Sequence, residues 1–164
     1  TTSEAEIREA FALLAEQKPI LQAYVMDQIY DKLENSEAML GPYYAGDYIV
    51  MKETNPDLKF VLPDEGSNVF SDAMWVPKVA SIKKNAELFI NCMTSKQVSL
   101  ANMYMTGYIA ANGEAAAVYG EDLDDEDYEI QFPKAHVLDI CEPFYNLPED
   151  ILALYSTLWV ELKS

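Results

Sequence analysis

The chain has 164 residues, half of them hydrophobic and 12% aromatic, so it is long enough for a sizeable core and too apolar to be disordered. With 28 acidic against 11 basic residues its formal net charge is −17. That balance excludes nucleic acid as a partner, because phosphate binding needs a basic stripe, and its long-range field favours a cationic ligand. An acidic surface also serves solubility alone, so the charge supports a ligand class without selecting one. Cys92 and Cys141 cannot make a disulfide scaffold. Cys92 sits in an apolar helical run and reads as a small buried hydrophobe. With one histidine, His136, and no CxxC or HExxH pattern, neither a zinc site nor a cofactor is expected. No apolar run approaches the ~20 residues of a membrane span.

In chain order, Ser3 and Glu6 form the pattern of a capping box. Ile7, Ala10, Phe11 and Leu14 then recur at helical spacing until Pro19 stops the helix. Residues 20–25 read as a short strand, 27–33 as a helix, 38–43 as a strand and 46–52 as a helix. Asn55-Pro56 marks a turn. Residues 58–62 (LKFVL) read as a buried strand closed by Pro63 and Gly66, and residues 69–76 as another closed by Pro77. Two helices follow, 85–93 and 96–105, ended by Gly107-Tyr108, then a short helix over 115–119. Residues 121–129 (EDLDDEDYE) read as a solvated acidic loop, since they lack the sixth-position Gly and twelfth-position Glu of an EF-hand. Residues 149–163 form a last amphipathic helix with Ile151, Leu152, Leu154, Tyr155, Leu158, Trp159 and Leu162 on its broad apolar face. Strands alternating with helices predict an α/β fold with a mostly parallel sheet flanked by helices.

Nothing in the pattern marks an enzyme: no nucleophile elbow, P-loop or dinucleotide fingerprint appears. Two stretches are more informative. YYAGDY (43–48) sits at a predicted strand-to-helix turn, and LPDEGSNVFSDAMWVP (62–77) follows about one crossover later. Their order resembles the spermidine/putrescine-binding proteins of ABC importers. The likeness continues through NAELFIN (85–91), through Gly107, Tyr108, Ala111 and Asn112, and into the closing helix that ends at Lys163.

The resemblance implies a two-lobed periplasmic-binding-protein fold of type II, with this chain as its C-terminal half. Residues 1–71 would then begin the second lobe, 72–117 return to the first, and 118–164 complete the second. The partners it implies are a polyamine ligand, an ABC importer permease and the N-terminal half of the same protein. The location it implies is periplasmic or extracellular, with tethering to the membrane or fusion to the permease. Alternatives that stay open are another small solute on the same fold, or a non-enzymatic interaction domain.

A polyamine needs carboxylates for its ammonium groups and flat apolar walls for its methylenes. Aromatic faces meet both needs, each cation–π contact giving about 0.5–2 kcal/mol. Carried over residue by residue, the resemblance makes Tyr44, Phe70 and Tyr108 aromatic walls and Asp47 and Asp72 ammonium partners. Tyr145 stands where relatives that prefer spermidine carry Gln. Read without the family, Tyr44 and Phe70 fit a core equally well, Asp47 fits a first-turn acid favoured by the helix dipole, and Tyr108 fits a cover for a helix end. Asp72 lies in an apolar stretch, where burial without a partner would be costly.

Overall fold

Helix dominates the computed structural model, which describes Thr1–Ser164, and the two strands are short. The chain divides into two units: Thr1–Met26 with Phe144–Ser164, and Asp27–Pro143. The first is built on α1 (Glu4–Gln17) and α9 (Glu149–Lys163). Ser3 caps α1 by accepting from the Glu6 amide, while the Glu6 carboxylate accepts from the Thr1 hydroxyl rather than closing the box. Ile7 of α1 and Leu158 and Leu162 of α9 are buried, so part of each predicted apolar stripe faces a core, while Leu14, Tyr155 and Trp159 stay exposed. Tyr24 meets Trp159 edge to face at 5.2 Å, and Lys163 lies over the same indole.

The second unit carries α2 (Gln28–Glu34), α3 (Ala45–Thr54), α4 (Lys83–Met93), α5 (Lys96–Thr106), α6 (Gly113–Glu121), α7 (Asp125–Gln131) and the short α8 (Ala135–Leu138). One core joins Leu33 of α2 to Tyr48, Ile49 and Met51 of α3, with Phe60 and Ile130 packed against them. A second joins Met103 of α5 to Ala115 and Tyr119 of α6. The sheet has two parallel strands, β1 (Ser67–Val69) and β2 (Cys141–Pro143), with Ser67 opposite Cys141. Gly66 leads into β1 at φ +99°, and a Cβ there would stand 2.0 Å from the Ile140 carbonyl oxygen.

The predicted strands at 20–25, 38–43 and 58–62 do not form, and that at 69–76 reduces to Val69 closing β1. Strands need neighbours to complete their ladders, and these segments find none within the chain. Their side-chain pattern persists without the ladder. Leu58, Phe60 and Leu62 are half-buried while Lys59 and Val61 are exposed, a period of two against the α2–α3 core.

The acidic stretch is not a loop. Asp124 caps α7 by accepting from the Asp127 amide, and Asp125, Glu126 and Asp127 fill its first turn. Acids at that end complement the helix dipole, which makes a charge run compatible with a helix. Asp127 is buried, and the Lys52 ammonium reaches it at 2.5 Å and Asp124 at 3.5 Å. Cys92 is exposed rather than buried, because α4 buries none of its residues.

Candidate functional site

The site grows from the N-terminus of α3. Tyr44 holds the N-cap position in extended backbone, so its side chain stands at the lip of the helix, 43% exposed. Asp47 lies in the first turn and is half-buried. Of the predicted strand-to-helix turn at YYAGDY the helix forms and the strand does not, and Asp47 is placed as a dipole-favoured acid.

Phe70 follows β1 directly and brings its ring to Tyr44, edge on at 5.3 Å. Tyr108 follows Gly107, which ends α5 in the left-handed conformation at φ +71°. Its ring lies 6.2 Å from Phe70, and its hydroxyl donates to Asp47 Oδ2. Four of the six predicted residues are thus together: Tyr44, Asp47, Phe70 and Tyr108. Edge-to-face geometry suits ring quadrupoles, and Tyr44 and Phe70 stay partly exposed.

Asp72 lies two residues beyond Phe70 and is exposed, so the desolvation cost expected of a buried strand position does not arise. Met74 and Trp75 beside it are also exposed. Tyr145 belongs to the first unit, where it is 53% exposed.

Two aromatic residues were missed. Tyr43 contacts Tyr44 at 5.1 Å and Tyr30 at 6.4 Å, which extends the run of rings from Tyr108 through Phe70 and Tyr44 to α2. Tyr43 was visible in the doubled tyrosine of YYAGDY. Tyr30 carried no local signal, because its place depends on α2 packing against α3.

Electrostatically the cluster is one-sided. Burial pushes the Tyr108 phenol far above its ordinary value, helped by the hydrogen bond to Asp47 and by the Asp47 charge. Burial raises Tyr43 as well, again with Asp47 as the leading charge. Both phenols are therefore neutral at neutral pH. No lysine, arginine or histidine forms an ion pair with Asp47. A carboxylate with no protein cation beside it, set among aromatic rings, leaves room for the cation of a ligand. No group of His, Cys, Asp and Glu has metal-binding geometry.

Comparison with known proteins finds relatives at low identity. The chain is 24% identical over its whole length to spermidine/putrescine-binding periplasmic protein 1 of Haemophilus influenzae, covering 45% of that protein. It is also 24% identical to the spermidine/putrescine-binding periplasmic proteins of Salmonella typhimurium and Salmonella typhi, covering 46% of each. The chain thus spans about half the length of the curated relatives it matches. No solved structure matches it significantly. The family model of bacterial extracellular solute-binding proteins matches residues 1–129, and the chain belongs to that family.

Proposed function

We propose that this chain is the C-terminal half of the extracytoplasmic solute-binding component of an ABC importer, and that its solute is a polyamine, putrescine or spermidine. The observation that carries the reading is Asp47. Its carboxylate has no cationic partner and lies in a cluster with Tyr44, Phe70 and Tyr108. The rings would pack on the methylenes and share the ammonium charge, while Asp47 and Asp72 take up ammonium groups. Micromolar affinity requires roughly −8 kcal/mol net, so several such contacts must act together.

The coverage of the relatives supports a longer protein, and the family resemblance makes that protein two-lobed and of type II. In it residues 1–71 and 118–164 would belong to the second lobe and 72–117 to the first, with Tyr145 as a further ligand contact. Binding without catalysis and delivery to a permease outside the cytoplasmic membrane follow from the same reading, with the protein free, tethered or fused to the permease. Calorimetry of the natural-length protein with putrescine and spermidine tests it. Saturable heat with either amine is expected, and no heat with both overturns the ligand assignment.

A further inference from the structure

The junction between α3 and the end of α5 is unusually close. A Cβ on Gly107 would stand 2.1 Å from the Gly46 carbonyl oxygen, and φ at Gly107 is +71°. A Cβ on Gly46 would stand 2.6 Å from the Tyr108 ring, which therefore occupies the space a side chain at 46 would fill. Two glycines let the chain turn out of α5 directly against the first turn of α3. The phenol is thereby carried to the carboxylate one residue beyond Gly46. The hydroxyl donates to Oδ2 of Asp47, a bond that leaves Oδ1 unengaged by the phenol.

We propose that Tyr108 is a positioning residue, whose hydroxyl fixes the Asp47 carboxylate so that Oδ1 is held ready for an ammonium group, with Gly46 needed to give the ring its place. The proposal rests on the polyamine reading above and adds a division of labour to it. A phenolic hydroxyl that donates its single proton to Asp47 cannot also donate it elsewhere. The Tyr108 hydroxyl therefore acts on a ligand through Asp47, while its ring serves as wall. An ionised carboxylate accepts at two oxygens with about four lone-pair sites, so one bond from Tyr108 leaves acceptor capacity for N–H donors. Fixing the carboxylate before the ligand arrives removes part of the ordering cost of binding.

The test is a double-substitution cycle in the natural-length protein, read by calorimetry with putrescine and with spermidine. Tyr108→Phe keeps the ring and deletes the hydroxyl, and should weaken binding about fivefold. Asp47→Asn should weaken it at least tenfold, and adding Tyr108→Phe to it should cost nothing further. Gly46→Ala should weaken binding at least as much as Tyr108→Phe, because driving the ring aside removes the wall together with the hydroxyl bond. Losses that multiply in the double variant would overturn the proposal, because the hydroxyl would then be acting without Asp47. A lowered melting temperature with unchanged affinity would also overturn it and leave Tyr108 a purely structural residue. If the unsubstituted protein gives no heat with either amine, the ligand reading fails, and the same cycle in ligand-free thermal melts decides the positioning bond. Coupled shifts support it and additive shifts overturn it.

Discussion

The two ends of α3 hold acids in opposite ways. At its C-terminal end Lys52 bridges Asp127 and Asp124, so two carboxylates share one ammonium supplied by the protein itself. Burial works against the charge on Lys52, yet the hydrogen bond to Asp127 and the charges of both acids outweigh it and hold the amine above its ordinary value. At the N-terminal end Asp47 has a neutral phenol in place of a cation and aromatic rings in place of a salt bridge. One end is satisfied and ties α3 to α7. The other has no cation from the protein and stands beside partly exposed rings. Charge alone distinguishes neither end; the sign of the partner does.

The sharpest way to break this contrast is at the α3–α5 junction. Gly107→Ala forces a side chain into the left-handed region and against the Gly46 carbonyl. It should cost about 2–4 kcal/mol in chemical denaturation, from the conformational penalty plus the clash. A loss below 0.5 kcal/mol would mean the two helices separate easily. At the opposite end Lys52→Met leaves Asp127 buried without its cation. Because Lys52 is itself only partly buried, about 2 kcal/mol is expected rather than the full penalty of an interior pair. Polyamine affinity should stay within twofold in that variant, measured at a temperature where it is folded.

Asp47→Asn should show the reverse: stability within about 1 kcal/mol of the parent, and affinity for putrescine lower by tenfold or more, which is about 1.4 kcal/mol. Asp72→Asn should cause a loss of similar size. If Asp47→Asn unfolds the protein while Lys52→Met abolishes binding, the roles of the two ends are exchanged and the comparison fails.

Local patterns were legible in the sequence and distant ones were not. The helix from Ala45 and the placement of Tyr44 and Asp47 at its start follow from a short stretch of chain, and they appear as expected. The partners of those residues lie far along it. Tyr108 is 61 residues from Asp47, and Asp127 is 75 residues from Lys52. No spacing rule reaches that distance, so EDLDDEDYE read as a solvated run although one of its acids is buried in an ion pair. The strand readings failed for a related reason. The apolar alternation of LKFVL is real, but a strand is a property of two segments, and one alone carries no information about its neighbour.

The smallest expected effect is an alkaline one, and it sharpens the N-terminal end specifically. Burial raises Tyr108, Tyr43 and Tyr30, in each case with Asp47 among the charges that add to it. A phenol whose folded value lies above its unfolded one keeps its proton in the native state after the unfolded chain has lost it. The stabilisation from each is complete below the ordinary value of 10.0 and declines as pH rises beyond it. Folding stability measured by denaturation should therefore hold steady up to that pH and then fall. Tyr108→Phe removes one titrating group and should make the fall shallower, while Asp47→Asn, by removing a charge that raises all three, should bring the folded values closer to the unfolded one and reduce the total fall without moving its onset. A stability profile above pH 10 unchanged by either substitution would separate Asp47 from the phenols around it.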